Sequence, residues 1–302
     1  MARRHDPNGI SNSASVTLNI IGIICALFCL LPFLLVISVS FSDEVSIMQN
    51  GYQFIPKIFS LEGYSFIFKY GDTLSRAYAN TIFVTIVGSI VNVLIIALYS
   101  YPLSRPDFPY KKFFNTFILI LMLFNGGFVA SYIVNIRVLM IKNTYWGLIL
   151  PSLGAGFYVF VTRTFFQKSI PYEIIESTKI DGCSESRIFW QIILPLSLPI
   201  LAVNALINIY GFWNNWMNSL YYITDPKLST LQYVMQQALR DMQLMKSQAG
   251  TASLEYQQLG KTLPAESARM AMVIAGIGPI IVVYPFLQKY FIKGLTVGAI
   301  KG

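Results

Sequence analysis

Six long apolar stretches constrain this chain more than any other feature of its sequence. A helix needs about 20 mostly apolar residues to cross the hydrocarbon core of a membrane. Stretches close to that length occupy residues 16–41, 79–101, 113–135, 147–167, 195–216 and 271–288. They predict an all-α integral membrane protein with about six transmembrane helices.

The charge composition supports this class. Charged residues make up 12% of the 302 residues, whereas soluble domains carry about 25%. The net charge of +8 would suit either nucleic acid or the anionic inner face of a membrane, and the spanning stretches favour the membrane. We therefore expect contact with membrane lipids and none with nucleic acid. Three cysteines and one histidine exclude a disulfide framework and most metal-site patterns.

Lysine and arginine predict the orientation, because short cytoplasmic loops are enriched in both. With a cytoplasmic N-terminus, basic residues concentrate in the short segments on that side, the loop 168–194 among them. The C-terminus is then cytoplasmic as well, as in a multi-pass protein of the bacterial plasma membrane. The long hydrophilic segment 218–270 becomes an external insertion, and the pattern from Leu228 to Met245 predicts an amphipathic helix within it.

The sequence also predicts two parts of the chain. The apolar stretch from 16 to 41 follows a basic N-terminus and is too long for the core of a signal peptide, so we expect a retained span. Residues 1–78 hold this span and an external loop. Residues 79–302 form the core domain, with the loop 168–194 and the insertion 218–270.

The stretch from Tyr172 to Pro199 is a polar interruption in an otherwise apolar region. Its charged residues are Glu173, Glu176, Lys179, Asp181, Glu185 and Arg187. Gly182 separates two short helical patterns, and glycine tolerates the positive φ that ends a helix. The pattern predicts a helix, a sharp turn and a second helix. A solvated loop with helix-capping acids would give the same local pattern.

The spacing within this stretch resembles the cytoplasmic EAA loop of ABC-importer permeases. The positions that carry the resemblance are Glu176, Asp181, Gly182, Ile192, Leu194 and Pro195. One departure is that Glu176-Ser177-Thr178 stands where the family has Glu-Ala-Ala.

The resemblance implies that this loop is the coupling helix on which an ATPase subunit docks. It implies that Glu176 faces a basic residue of the ATPase, and that Asp181 and Gly182 form the corner. The last three positions of the motif then lead back into the membrane.

Other segments resemble the same family. Residues 80–105 resemble the start of the permease core, down to the closing Leu103-Ser104-Arg105, and residues 143–151 resemble the segment before its fourth span. Ala130-Ser131 departs from the family, where relatives often carry a proline. The tail 286–302 resembles the C-terminus of the smaller carbohydrate permeases of the maltose-importer type, within them the oligosaccharide and polysaccharide subgroup. The tail therefore implies a carbohydrate substrate.

Amide and aromatic residues are candidates for the substrate pathway: Asn125, Asn204, Asn208, Trp213, Asn214 and Trp216. Burying an amide without partners costs about 1–3 kcal/mol, so the asparagines favour a polar pathway. Rings and amides together suit a sugar, and residues 210–217 resemble the aromatic and amide stretch that ends the family's fifth span. An interfacial aromatic belt explains the tryptophans equally well. Asn125-Gly126-Gly127 and Gly154-Ala155-Gly156 interrupt the third and fourth apolar stretches. Such interruptions suit a position near a transport pathway, and close helix packing is the alternative.

ATP has to be bound by a separate subunit, because the chain lacks a phosphate-binding loop. Gly260-Lys261-Thr262 invites that interpretation, but Glu255 occupies the position of the required earlier glycine. We expect no cofactor in this chain, with ATP and Mg on the partner ATPase.

The resemblance implies an importer of an oligosaccharide or polysaccharide. It also implies the partners: a paralogous permease subunit that completes a heterodimer, two ATPase subunits and an extracellular solute-binding protein. Docking of the binding protein is one interpretation of the amphipathic pattern in 218–270, and packing on the outer surface of the bundle is the other.

Two other classes of function are less well supported. An ion-coupled secondary transporter of a small polar solute would carry charged side chains at membrane depth, and the predicted spans contain essentially Arg163 alone, near an end. A membrane-embedded enzyme would need nucleophiles, acids or metal ligands at that depth, and the predicted spans offer none. The sequence therefore favours a transport subunit without catalytic residues.

Overall fold

The computed structural model describes residues 12–68, 71–124, 126–154, 156–249 and 266–277, together with Ile281 and Pro285. Helices form almost all of the regular structure in these residues. The β contact among them is an isolated antiparallel bridge between Ser42 and Phe59. The predicted all-α class is confirmed.

The first helices are α1 (Asn12–Ser40), α2 (Glu44–Asn50), α3 (Glu62–Phe68), α4 (Gly71–Ser104), α5 (Lys111–Leu123), α6 (Gly127–Ile133), α7 (Tyr145–Ile149) and α8 (Gly156–Ser169). They are followed by α9 (Tyr172–Ile180), α10 (Glu185–Ile188), α11 (Leu194–Leu196), α12 (Leu198–Trp213), α13 (Met217–Tyr222), α14 (Leu231–Ala249) and α15 (266–277). Five-residue π-helical turns extend α6 and α10 at Val134–Val138 and Phe189–Ile193.

Candidate membrane spans are both continuous and broken. Two helices, α1 and α4, are long and apolar enough to cross a membrane, and three bent helix pairs raise the number to as many as five in the described residues. The pairs are Lys111–Leu123 with Gly127–Val138, Tyr145–Ser152 with Gly156–Ser169, and Glu185–Leu196 with Leu198–Trp213. The predicted stretch 271–288 lies partly outside the described residues.

The breaks fall where the sequence departs from good helix formers. Gly127 and Gly154 have φ angles of +82° and +84°, which glycine adopts without strain and other residues rarely do. Both lie in the two interruptions that the sequence predicts. The third pair bends by 79° around Ser197, where Pro199 in the first turn of α12 has no N–H to continue the preceding helix. The predicted span 195–216 is thus shortened at its start.

The chain divides into two compact units, and the predicted boundary after residue 78 stays a prediction. The first unit comprises residues 1–70 and 239–275. In it, α1 is apolar, and none of the 18-residue apolar segment that is long enough to span a membrane is buried inside the protein. The surface of α1 is therefore suited to hydrocarbon. Glu44 is buried, and its carboxylate accepts hydrogen bonds from the backbone N–H groups of Glu266 and Ser267 at 3.0–3.1 Å. Glu44 therefore caps the first turn of α15.

The second unit, residues 71–238 and 276–302, is built around α4. Helices α12 and α8 pack along it. Gly88 permits the close approach of α12, because a Cβ at that position would lie 2.7 Å from the ring of Phe212. The ring of Phe212 thus occupies the space that a side chain at position 88 would need. The C-terminal part of α4 packs against the polar stretch that begins at Tyr172.

Candidate functional site

The polar stretch folds into two short helices joined by a tight corner. Helix α9 ends at Ile180, and Gly182 follows with a φ of +78°. The N–H of Gly182 donates to the carbonyl of Lys179 at 3.0 Å, and the N–H of Cys183 donates to that of Thr178 at 3.1 Å. Ser184 then caps α10. The predicted helix, turn and helix are confirmed, and we call residues 172–188 the elbow.

The elbow has an apolar underside and a polar outer face. Ile175 and Ile188 are buried in a cluster that also contains Ala97 of α4 and Phe166 of α8. The outer face carries Glu176 and Asp181, which are exposed. Ile180 is 86% exposed, an unusual position for a large apolar residue next to acids. The elbow is therefore seated on α4 and α8 and presents a mixed surface outward.

The structure places the six predicted coupling residues in two groups. Glu176, Asp181 and Gly182 lie at the exposed end of α9 and the corner. Ile192, Leu194 and Pro195 lie in the π-helical turn and in α11, where Leu194 packs against the apolar cluster. These positions agree with a corner and a return segment, while their contact with an ATPase stays a prediction.

A group of one tyrosine and four charged residues, which the sequence interpretation missed, connects the elbow to α4. We call it the Arg105 cluster, and its members are Tyr101, Arg105, Asp107, Lys179 and Glu185. Arg105 is only 4% exposed. Its Nε and Nη2 lie 3.1 and 3.2 Å from the two carboxylate oxygens of Asp107. Its Nη1 donates to the Tyr101 hydroxyl at 3.2 Å.

Both helices of the elbow join this cluster. On α10, Glu185 accepts a hydrogen bond from the Tyr101 hydroxyl at 2.5 Å and lies 3.6 Å from Nη2 of Arg105. On α9, the Nζ of Lys179 lies 2.8 Å from Glu185 and 3.2 Å from Asp107. The ring of Tyr172, also on α9, lies 5.2 Å from Cζ of Arg105, within cation–π range. These connections lead to Tyr101 in the last turn of α4 and to Arg105 and Asp107 just after it.

The two cations and two carboxylates balance each other. Hydrogen bonding from Arg105, and further from Lys179, holds the pKa of the Asp107 carboxyl well below its usual range. Hydrogen bonds to Glu185 and then to Asp107 raise the pKa of the Lys179 ammonium. The Lys179 pairs are partly exposed, since the side chains of Asp107 and Glu185 are 46% and 55% accessible. Pairs of this kind stabilise a fold by about 0–1 kcal/mol, so geometry matters more here than stability.

The predicted pathway asparagines on α12 form hydrogen bonds inside the helix packing. Asn204 is 1% exposed and donates to Thr162 Oγ1 at 2.8 Å. Asn208 donates to the carbonyl of Asn204 and accepts from Asn92 of α4. Asn92 in turn accepts from the N–H of Gly154 at 2.9 Å. These bonds join α12, α4 and α8, but among the described residues the buried Oδ1 of Asn204 has no hydrogen-bond partner.

The remaining predicted pathway residues lie apart from one another. Trp213 is buried and donates from Nε1 to the carbonyl of Gly276 at 2.8 Å. Asn214 is exposed and bonds to the carbonyl of Tyr210 in its own helix. Trp216 is half-buried just before α13. Asn125 lies outside the described residues.

A cavity in the second unit brings rings and amides together from other positions. Its volume is about 970 Å³. Its aromatic and polar lining residues are Phe128, Ser131, Asn135, Asn218, Tyr221 and Tyr222. The predicted pathway residues that the structure describes are not among its lining. Rings and amides of the expected kind thus meet at α6, its π-helical extension and α13, while the pathway role of the six predicted residues stays a prediction.

The rings and amides of this cavity are held by direct contacts. The rings of Phe128 and Tyr221 have centroids 4.3 Å apart. Asn135 donates to the Tyr222 hydroxyl at 2.9 Å, and Asn218 donates to the carbonyl of Leu148 at 2.9 Å. Among the described residues, no group of three His, Cys, Asp or Glu side chains is placed to hold a metal ion.

The fold has broken apolar spans, an exposed elbow and an amide-lined cavity. These features are typical of a membrane transport subunit, and comparison with known proteins specifies the kind of transporter. Residues 19–297 match the model of the family described as the binding-protein-dependent transport system inner membrane component. The match covers most of the chain, and the chain belongs to this family.

Several curated relatives align along almost the whole chain. Protein LplC of Bacillus subtilis (strain 168) is 35% identical over 273 residues, which is 90% of each chain. The polygalacturonan/rhamnogalacturonan transport system permease protein YtcP of the same organism is 34% identical, over 92% of this chain and 94% of that protein. The arabinooligosaccharides transport system permease protein AraQ of Halalkalibacterium halodurans is 29% identical, over 92% and 93%.

A solved structure shows the same fold. It is a bacterial ABC transporter involved in the import of the acidic polysaccharide alginate, which superposes with a TM-score of 0.76 at 24% identity and covers 94% of this chain and 99% of that one. The family and the relatives confirm the predicted class of ABC-importer permease, and the superposition agrees with its fold.

Family membership decides several predictions. The chain is a multi-pass inner-membrane transport subunit and not an enzyme, and ATP hydrolysis belongs to a separate ATPase subunit. Membership implies an ATPase partner and a solute-binding partner. The alternative of ion-coupled secondary transport is not favoured.

Proposed function

We propose that this chain forms half of the translocation pathway of an importer for an oligosaccharide or polysaccharide. The observation that carries the substrate class is the cavity lined by Phe128, Tyr221 and neighbouring amides. A pyranose offers C–H faces that stack on rings and hydroxyl groups that bond to amides. The volume of about 970 Å³ lies near the upper end of the range for small-molecule sites, about 300–1,000 Å³.

The names of the relatives support the same substrate class. YtcP is named for polygalacturonan and rhamnogalacturonan, and AraQ for arabinooligosaccharides. Both align with this chain over more than nine-tenths of its length. Chains of sugar units are thus the common chemistry, and we extend it to this permease.

The proposal includes an assembly and an orientation. The other half of the pathway is a paralogous permease subunit, and two ATPase subunits and an extracellular solute-binding protein complete the importer. Both termini and the loop 168–194 are cytoplasmic, so the elbow faces the ATPase. The exposed Glu176 and Ile180 give that surface a charged and an apolar contact point. ATP and Mg are bound by the ATPase, and this chain needs no cofactor.

Transport then depends on movement of the elbow. ATP shifts the balance between inward-facing and outward-facing states only through a difference in affinity for the two. The ATPase converts this difference in affinity into a change in the position of the elbow. Because the underside of the elbow packs on α4 and α8, those helices move with it.

Substitution of Tyr221 tests the substrate class. We expect Tyr221→Ala to weaken oligosaccharide binding by roughly 2- to 10-fold, the value of one aromatic stacking contact. Tyr221→Phe keeps the ring and retains binding. The measurement is calorimetry on the purified permease assembly without its binding protein, with arabino-oligosaccharides and polygalacturonan oligomers as probes.

Tyr110→Ala is the control, because Tyr110 is exposed and lies outside the cavity. Equal binding by Tyr221→Ala and Tyr110→Ala would remove the cavity from the substrate pathway. Binding of neither probe by the unsubstituted assembly would contradict the substrate class itself.

A further inference from the structure

The Arg105 cluster connects four segments of the chain, unlike a set of separate, solvated surface charges. Its members come from the last turn of α4, the loop after it, α9 and α10. The guanidinium at its centre is buried, whereas Lys179, Asp107 and Glu185 lie at the rim. A buried cation has to be paired, so the position of each partner is restricted by the position of Arg105.

Each helix of the elbow has its own polar connection to this centre. Helix α9 is held through Lys179, which contacts Asp107 at 3.2 Å. Helix α10 is held through Glu185, which accepts from Tyr101 at 2.5 Å. One attachment is to Tyr101 in the last turn of α4, and the other is to Asp107 in the loop that follows. Two separate attachments fix the direction of the elbow as well as its distance.

The apolar underside cannot supply this direction alone. Contacts such as those of Ile175 and Ile188 with α4 and α8 attract without strong orientation, because burial of apolar surface is non-directional. Hydrogen bonds and the two-pronged contact of Arg105 with Asp107 do depend on angle. The exposed pairs contribute little to stability, so orientation is what they add.

We infer that the Arg105 cluster is a positioning device that fixes the angle of the elbow against α4, so that force applied to the elbow moves α4. This inference rests on the proposed coupling role of the elbow and names the residues that pass the force on. Arg105, Lys179 and Glu185 are thus positioning residues, which act through α4 and touch neither substrate nor nucleotide.

The test uses the complete importer, reconstituted with its partner permease, ATPase subunits and solute-binding protein. The readout is the factor by which the solute-binding protein raises ATP hydrolysis, since this signal has to cross the permease. We expect Lys179→Met and Glu185→Gln each to lower the factor on the order of tenfold, within the usual range of coupling between sites. Lys112→Met, which removes an exposed charge at the start of α5, leaves it unchanged.

Two further variants separate geometry from charge. Arg105→Lys keeps the positive charge but loses the planar fork that contacts Asp107, and we expect it to lower the factor as much as Glu185→Gln does. The double variant Lys179→Met with Glu185→Gln should be no worse than either single one, because residues that act as a unit are not additive.

A distance measurement distinguishes positioning from a role in folding. Spin labels are placed through Ile180→Cys and Tyr110→Cys, both exposed positions, in a chain whose native cysteines are serine. We expect a narrow distance distribution with the intact cluster and a broad one with Glu185→Gln in the assembled importer. A distribution that stays narrow would overturn the inference.

The coupling role of the elbow is checked separately with Gly182→Val, which strains the corner. If Gly182→Val abolishes stimulation of ATP hydrolysis while Lys179→Met and Glu185→Gln do not, the positioning role alone is overturned. If Gly182→Val also retains full stimulation, the elbow is not the coupling element and the inference fails with it.

Discussion

Arg105 illustrates how one residue can depend on partners that no local pattern reveals. It is a buried cation that contacts Asp107 two positions away and Glu185 eighty positions away. Lys179 reaches Asp107 across 72 positions. The resemblance in the sequence includes Leu103-Ser104-Arg105, but it gives Arg105 no role. Only the fold brings these charges together.

The charges of the Arg105 cluster predict a flat pH dependence around neutrality. The pKa of Asp107 is lowered, so its stabilising contribution is complete above the ordinary value of about 3.9 and is lost as the pH falls through the lower folded value. The pKa of Lys179 is raised, so its contribution is complete below about 10.4 and is lost as the pH rises through the higher folded value.

We therefore expect the difference in thermal stability between the unsubstituted importer and Lys179→Met to stay constant from about pH 5 to about pH 9. Thermal unfolding of the detergent-solubilised assembly at several pH values measures it. A difference that falls by more than half within this window would show that other titrating groups control the cluster.

The asparagines of α12 show that the environment of a polar residue in an apolar stretch cannot be assigned from the sequence alone. The amides in this apolar stretch suggest a polar pathway, because an unpaired buried amide is costly. In the fold, Asn208 bonds to Asn92, and Asn204 bonds to Thr162. Partners on other helices reduce the cost, although the Oδ1 of Asn204 has no partner among the described residues. A single sequence does not show which side of a helix faces such partners. Asn135 and Asn218 line the cavity instead.

Helices and their breaks are the level at which the sequence is most informative. The glycines near residues 127 and 154 predict interruptions, and both have the positive φ that glycine favours. The elbow is predicted for the same reason, because Gly182 and the acids around it act locally. The 79° bend at Ser197 is not predicted, since Leu194 to Ile200 continues an apolar pattern through two prolines.

The corner of the elbow gives a prediction for paired substitutions. A Cβ at Gly182 would meet nothing within 4 Å, but φ is +78°, so the cost of a side chain is conformational. That cost is about 1–2 kcal/mol for most residues, and asparagine is better tolerated there. We expect Gly182→Val to abolish ATP-driven uptake and Gly182→Asn to retain most of it.

The measurement is uptake into proteoliposomes at equal amounts of inserted chain. Equal uptake by the valine and asparagine variants would show that the left-handed conformation of the corner is not needed for coupling.

At the scale of the whole molecule, the elbow is the segment where the proposed contact with the ATPase meets the internal contacts of this chain. The family supplies an ATPase and a solute-binding partner, and the second unit supplies a path from the elbow through Arg105 to α4. Within that unit, α4 also packs on α12, which leads into α13 and the cavity. One helix thus contacts the elements at both ends of the proposed mechanism.

The most direct measurement asks which protein touches the elbow. A photo-reactive amino acid at Ile180, which is 86% exposed, is activated in the assembled importer with and without ATP, and Phe59 in the predicted external loop serves as the control position. Capture of the ATPase subunit from position 180, in an amount that changes with ATP, and not from position 59 is the expected result. Capture of the solute-binding protein from position 180, or no ATPase capture from it, would contradict the coupling role of the elbow.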